Sequence, residues 1–465
     1  MSLDRYSYMR HDRYIILTKC SDRKKGSHGL RKMAFSMVHG LTTATVVPST
    51  PKSDLSSSYD VIVIGAGFAG LTAARDLAFK EKKDSKVEIG GTWVHWQQPH
   101  VFSELQRYGL DDFEETVAFP ENCESTAKES RSQPAIVSDP AEGRVMMEQL
   151  EGLKMKFFDV DGQGGRSIIP FPFSTASSVK QNPDYLELDR LSVSDRVAQL
   201  EGCTQEQQSM LSAHAASFYG ISPEKASSTM KYKLAKGTTA FALAILENYK
   251  GDRILNSPVT SITQGDGDFP ATVTLRNGEQ YLSKTVISTV PINVISSIVF
   301  DPPFSTLRTE AFATGVTLAR TDKVLVCTST EFKNGFNVSY EGGDMPYASG
   351  FTDGSHGDHT LLTLLVHPDN GLDGSDENIR LVESLRPAGI QVETASGHLW
   401  SDDQYAGGVM PVRGPGFLQK YNDEIRKPHG NVYFCGSDFA DGWRGFISGA
   451  FEDAYRVTRE ILRQN

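Results

Sequence analysis

Tyr59-Asp60-Val61-Ile62-Val63-Ile64 runs straight into Gly65-Ala66-Gly67-Phe68-Ala69-Gly70 near the start of this 465-residue chain. The four apolar residues before Gly65 are what a strand buried on both faces of a parallel sheet requires. Gly65, Gly67 and Gly70 fit the pattern G-x-G-x-x-G. The first permits the tight turn, the second lets a pyrophosphate approach the backbone, and the third lets the next helix pack closely on the strand. Phe68 and Ala69 lie in the same turn. Leu71-Thr72-Ala73-Ala74-Arg75-Asp76-Leu77-Ala78 continues as a helix whose free N–H groups face the phosphates. A glycine triplet alone is commonly just a turn. The strand before it and the helix after it make it a dinucleotide site.

A second half of the signature stands near the other end. Val432-Tyr433-Phe434-Cys435-Gly436-Ser437-Asp438 leads into Gly442-Trp443-Arg444-Gly445-Phe446-Ile447-Ser448-Gly449-Ala450. Together the halves imply that both ends of the chain build one site for a flavin dinucleotide. Such a fingerprint also wants an acid about 20 residues further on, at the end of the second strand, to hold a ribose hydroxyl. Glu88 has that spacing. However, Lys80-Glu81-Lys82-Lys83-Asp84-Ser85-Lys86 places charges where an apolar second strand should begin.

An apolar fraction of 39% with 23% charged residues describes a chain able to bury a sizeable core. No run of about 18 apolar residues suggests a membrane span. The net charge of −11 argues against nucleic acid as a partner. Cys20, Cys123, Cys203, Cys327 and Cys435 have no C-x-x-C spacing and read as reduced thiols, not as a zinc site or a disulfide framework. That usage points to an intracellular, cytoplasmic protein. The first 50 residues carry nine Lys/Arg against three Asp/Glu. They read as a disordered basic tail, with an organelle presequence as the alternative, so a mitochondrial or peroxisomal address stays open. The chain ends in Gln464-Asn465 and not in S-K-L.

The middle of the chain changes character twice. Residues 111–142 are polar and irregular. Ser192-Val193-Ser194-Asp195 and Thr204-Gln205-Glu206-Gln207 read as capping boxes opening helices. Residues 240–246 form an apolar helix. Short β-rich runs follow from residue 253, with Asn277-Gly278 marking a hairpin. Residues 285–290 read as a buried strand, 322–328 and 360–366 as strands of a second region, and 449–463 as a terminal helix. The fold class is therefore α/β, a discontinuous Rossmann-like FAD-binding domain with an inserted α+β substrate domain. The expected boundaries are a basic tail and linker at 1–57, a cofactor domain at 58–110, 237–300 and 400–465, and a substrate domain at 111–236 and 301–399.

With these residues in view, the chain resembles the flavin-containing amine oxidases, most closely the fungal monoamine oxidases, from about Tyr59 to the C-terminus. The resemblance is carried by Gly90-Gly91-Thr92-Trp93-Val94-His95-Trp96, by Val286-Ile287-Ser288-Thr289-Val290-Pro291-Ile292-Asn293-Val294-Ile295, by Lys323 within Asp322-Lys323-Val324-Leu325-Val326, and by residues 436–450. It implies FAD bound across both chain ends, a small-molecule amine oxidised to an imine, and O2 reduced to H2O2. A homodimer stays open. Residue by residue, it implies that the backbone of Val259 meets the adenine and that Gly436 and Asp438 lie near the pyrophosphate and ribityl chain. Lys323 would hold a water beside the reactive flavin nitrogen, and Phe446 would be one wall of an aromatic cage. Gly90, Gly91, Thr92, Trp93 and Trp443 join the cofactor set, while His95 and Trp96 would pack around it. The ordinary alternatives are an edge-strand charge for Lys323, a core ring for Phe446 and a turn cap for Asp438.

The sequence departs from that family in four places. The segment between the first helix and Gly90 is about 20 residues shorter, which leaves two matches for Glu88: the ribose acid, or the residue before Gly-Gly-Thr. The stretch between Gly220 and Lys236 is short as well. Val409 stands where animal relatives bond a cysteine to the flavin, which implies noncovalent FAD. Met410 replaces the second cage aromatic with a softer thioether. These departures leave two other readings open: a degenerate homologue that binds FAD poorly, and a polyamine or other oxidase of the same fold.

Overall fold

The computed structural model describes residues 14–17, 34–37, 48–78, 93–94, 98–110, 112–115, 124–128, 136–138, 140–164, 167–168, 182–205, 207–208, 211, 232–234, 237–316, 322–328, 336–342, 345–356, 359–366, 392–398, 400, 403–408 and 411–464. The chain opens with β1 (Tyr14–Leu17), β2 (Ala34–Met37), β3 (Ser58–Ile64), α1 (Phe68–Ala78), β4 (Trp93–Val94) and α2 (Pro99–Tyr108). Next come β5 (Phe113–Glu115), β6 (Glu124–Lys128), β7 (Ile136–Ser138), α3 (Pro140–Phe158), α4 (Pro183–Arg190) and α5 (Val193–Ala198). The central part holds β8 (Tyr232–Leu234), α6 (Gly237–Asn248), β9 (Asp252–Ile254), β10 (Val259–Gln264), β11 (Ala271–Leu275), β12 (Gln280–Ser288), β13 (Val299–Asp301) and α7 (Thr306–Thr314). The remainder is β14 (Asp322–Thr328), β15 (Phe336–Gly342), β16 (Met345–His356), β17 (His359–Val366), β18 (Val392–His398), α8 (Phe417–Arg426), β19 (Val432–Phe434) and α9 (Ile447–Gln464).

Two large sheets organise these elements. The first runs β13-β10-β11-β12-β3-β1-β9, with β19 also paired to β12. β3 and β12 are parallel, with Val61 opposite Thr285 and Ile64 opposite Ser288. β19 adds to the other edge of β12 in the same sense, Val286 opposite Val432. Residues from the start, the middle and the end of the chain therefore share one parallel ladder.

The alternation along β3 explains why its apolar run has no polar face. Val61 and Val63 enter one core with Ala73 and Ala74 of α1, Phe241 of α6 and Phe451 and Ala454 of α9. Ile62 and Ile64 enter the opposite core with Phe312 of α7, Tyr421 and Ile425 of α8, and Phe434. A strand packed on both faces reads as continuously hydrophobic.

The second sheet runs β2-β18-β14-β17-β16-β15-β6-β7, and a small third sheet runs β4-β8-β5. β6 and β7 lie within residues 111–142, the stretch whose polarity hid its strands. The buried strand expected at 285–290 begins earlier, straight after the Asn277-Gly278 turn, and forms β12 (Gln280–Ser288). α7 packs into the core beneath the first sheet through Ala311 and Phe312, so that core reaches past the boundary expected at residue 300. Two strands, β1 and β2, fall inside the stretch 1–57 read above as tail and linker. Among the described residues, no helix is long and apolar enough to cross a membrane.

Candidate functional site

The carboxyl end of β3 and the carboxyl end of β19 flank the end of β12, and the two halves of the signature start there. The link is made by Thr289, whose N–H and hydroxyl both donate to the Ile64 carbonyl, at 2.9 and 2.8 Å. On the other side, the Cys435 N–H donates to Ser288 O at 3.0 Å. Cys435 is fully buried, which pushes its thiol well above the ordinary range.

The glycines of the first loop behave as their three roles require. Gly65 has φ +102 and lies so close to Thr289 that a Cβ would collide with its hydroxyl. A Cβ on Gly70 would collide with the Gly65 carbonyl, so the helix packs on the turn only with glycine there. A Cβ on Gly67 would meet nothing within 4 Å, and Gly67 is exposed. This is the open approach a pyrophosphate needs. The first turn of α1 holds no acidic residue to compete with an anion. Phe68 packs on Phe241 and Phe451, with ring centroids 5.2 and 5.6 Å apart, and so clamps α1 to α6 and α9.

The C-terminal half is held by acids of α9. Asp453 accepts the Gly436 N–H at 3.0 Å and the Arg456 Nε–H at 2.6 Å. Glu452 accepts the N–H groups of Asp441, Gly442 and Trp443, each at 3.0 Å. A Cβ on Gly449 would strike the Trp443 carbonyl, so α9 touches this loop directly. Trp443 and Phe446 meet edge to face, with centroids 5.8 Å apart. Trp443 is buried and Phe446 half-buried.

Asp438 ties in a third motif. Its carboxylate accepts the Ile292 N–H at 3.1 Å, and its carbonyl accepts from Arg413 at 2.8 Å. Burial raises its carboxyl above the usual range, opposed by the Ile292 N–H and the charge of Arg413. Burial raises Asp453 likewise, against the charge of Arg456.

Two further observations suit a polar ligand. Ser288 Oγ, at the end of β12, and Ser448 Oγ, in the first turn of α9, are buried with no hydrogen-bond partner. Buried hydroxyls are ordinarily satisfied. The residues present fit a bound dinucleotide: an open glycine, two helix N-termini, and orphaned hydroxyls in the elements beside them.

Not every expected residue joins this group. Val259 opens β10 in the same sheet, reached from the carboxyl end of β9 through residues 255–258. Lys323 lies elsewhere, in β14 of the second sheet, where it is 7% exposed and in register with Leu365 and His398. It is thus an inner-strand residue, flanked by β17 and β18, and not an edge charge. Trp93 lies in β4. Glu88, Gly90, Gly91, Thr92, His95, Trp96, Val409 and Met410 lie outside the described residues. Thr289 lies within a quoted motif without a role of its own there, and Glu452 and Asp453 do positioning work that no sequence motif announced. The only hint was the adjacent acids three residues past Gly449.

Comparison with known proteins agrees with this geometry. Residues 77–462 match the family described as flavin containing amine oxidoreductase. The chain is 28% identical to a pseudooxynicotine dehydrogenase of a Pseudomonas species, over 87% of this chain and 86% of that one. It is 24% identical to a nicotine dehydrogenase of Pseudomonas putida, over 95% and 99% of the two chains. Human flavin-containing amine oxidase B aligns over 46% of this chain and 44% of its own length, at 29% identity. Among solved structures, putrescine oxidase bound to putrescine superposes with a TM-score of 0.64 at 18% identity, covering 87% of this chain and 99% of that one. Cyclohexylamine oxidase from Brevibacterium oxydans superposes with a TM-score of 0.60 at 14% identity, covering 87% and 99%. At such identities the superpositions speak to the fold. The family match covers most of the sequence and includes the C-terminal motif that converges on the glycine loop, and the chain belongs to the flavin-containing amine oxidoreductases.

Proposed function

We propose that this chain binds FAD noncovalently between its two ends and oxidises a primary or secondary amine to the imine, which hydrolyses to the carbonyl compound. The observation that carries this reading is the convergence of residues 65–70 with residues 436–446 on one carboxyl edge of the parallel sheet. The two-electron oxidation of the amine's C–N bond, and delivery of those electrons to O2 as H2O2, is chemistry that FAD supplies when bound.

The chain's own residues bind and orient. Gly67 admits the pyrophosphate, and the first turn of α1 offers it N–H groups. Asp438 holds the cofactor loop against Ile292 and would lie toward the ribityl chain of a bound FAD. Phe446, braced by Trp443, forms one apolar wall for the neutral amine. Lys323, buried in β14, would hold a water near the bound flavin. Noncovalent attachment is supported by Val409, whose side chain offers no atom for a thioether.

A second reading is favoured by one observation. Two relatives matched over most of their length are named dehydrogenases. In that reading an acceptor other than O2 takes the electrons, and the amine carries a heteroaromatic ring.

The test begins with the visible spectrum of the purified protein. Flavin bands are expected near roughly 370 and 450 nm, and acid precipitation should release the flavin into solution. A colourless protein that takes up no FAD on titration would establish the degenerate reading instead. Alkylamines and pyridine-bearing amines should then bleach the flavin anaerobically. H2O2 formed on admitting air separates oxidase from dehydrogenase. Lys323→Met should slow turnover by about tenfold or more; normal turnover in that variant removes Lys323 from the assignment.

A further inference from the structure

In a doubly wound dinucleotide domain, the strand beside the fingerprint strand is the one to which the first helix leads. Here α1 is followed by the charged run 80–86, which is unsuited to a strand covered on both faces. The slot is nonetheless occupied. β1 lies in it, parallel to both neighbours. Tyr14 is opposite Val61 and Leu17 opposite Ile64 on one side. Ile15 is opposite Asp252 and Leu17 opposite Ile254 on the other. Its sequence, Tyr-Ile-Ile-Leu, is the apolar run such a slot requires. Leu17 is level with Ile64 and Ile254, so β1 ends at the carboxyl edge from which the glycine loop leaves.

A second piece of the same N-terminal stretch holds the neighbouring strand. The Thr50 N–H donates to Arg253 O at 2.8 Å, and the Arg253 N–H donates to Thr50 Oγ1 at 3.1 Å. The Leu255 N–H donates to Ser49 Oγ at 3.0 Å, and Arg253 Nε–H donates to Pro48 O at 3.1 Å. Leu55 packs against the core that holds Ile62 and Ile64. β9, only three residues long, is therefore gripped from both sides by residues that precede the fingerprint.

We propose that Tyr14–Leu17 is the second strand of the cofactor domain, supplied from ahead of the fingerprint strand, and that FAD binding depends on it. The proposal rests on the FAD reading above. Without β1, the outer edge of β3 loses its ladder and β9 loses its tie to the parallel sheet. β3 carries the glycine loop and β9 leads to Val259, so both contacts with the adenosine half of the cofactor are positioned by this strand. Tyr14 to Leu17 are positioning residues, which act through β3 and β9.

Amide hydrogen exchange on the full-length protein tests the strand itself. Residues 15–17 should exchange as slowly as residues 61–64, with or without FAD. Exchange at the rate of an unstructured peptide overturns the proposal. Ile16→Pro removes an N–H from an inner parallel strand and should raise the FAD dissociation constant, read by quenching of flavin fluorescence, by about tenfold or more. Ile16→Val should restore it. Deletion of residues 1–47 should act as Ile16→Pro does, and a deleted chain that binds FAD like the full chain also overturns the proposal. If a variant fails to fold, the exchange measurement still decides. If the full-length chain binds no FAD at all, the functional reading falls, while exchange still reports on the strand.

Discussion

Glu452 sits among three main-chain donors, and its value lies in what those donors would do without it. The amides of Asp441, Gly442 and Trp443 all donate to its carboxylate. Gly442 and Trp443 are buried, and removing an acceptor from a buried donor costs about 1–3 kcal/mol. Glu452→Ala should therefore lower the urea midpoint and reduce the ratio of flavin to protein absorbance, whereas Glu452→Gln, which keeps an acceptor oxygen, should recover much of both. Tyr281 gives a residue-scale prediction with a pH sign. Burial, and then the charge of Glu279, push its phenol from 10.0 up to about 12. The fold holds this proton more tightly than the unfolded chain does. The resulting stability is complete below about pH 10 and is lost as pH rises through about 12. Tyr281→Phe should flatten the fall in urea midpoint across that window.

Among elements, α1 is fixed by a buried ionic cluster at the end away from the glycine loop. Arg75 is fully buried, pairs with the Glu104 carboxylate of α2, and donates to Tyr108 Oη at 2.6 Å. Tyr455 of α9 donates to Glu104 at 2.8 Å, and Asn248 of α6 donates to Tyr108 Oη at 3.1 Å. Four helices meet in these bonds. Glu104→Ala leaves the buried guanidinium with Asp76 as its remaining carboxylate, at 2.6 Å, and should destabilise by about 1–3 kcal/mol in urea denaturation. Local signals announced many elements. The Ser192 and Thr204 boxes both form, and Gly278 takes φ +86 in the β11–β12 hairpin. Such features are encoded within a few residues. Asp453 and Glu452 were not legible, because acids on a helix read as a solvated face and their partners lie in a loop with no periodicity. β1 was hidden for a related reason: four apolar residues in a basic stretch acquire meaning only from strands far along the chain.

For the whole molecule, the split signature predicted that distant segments meet, and the β3–β12–β19 ladder shows where. The position of Lys323 relative to that ladder was never in the local sequence, since it depends on how a second sheet is inserted. A site assembled from three stretches of chain should couple ligand to fold. FAD at a hundredfold excess over its dissociation constant should stabilise the apoprotein by about 2.7 kcal/mol. The thermal midpoint should rise with FAD and barely move with riboflavin, which lacks the pyrophosphate and adenosine.

The ladder also sets the order of events during synthesis. β3 must wait for β12, whose Ser288 pairs with Ile64, and the outer edge of β12 must wait for Val432. Most of the polypeptide therefore leaves the ribosome before the central sheet can close, with its apolar strands exposed meanwhile. A message truncated by even its last few dozen codons yields a chain that never completes this sheet, and chaperone demand should concentrate on the interval before the final helix emerges.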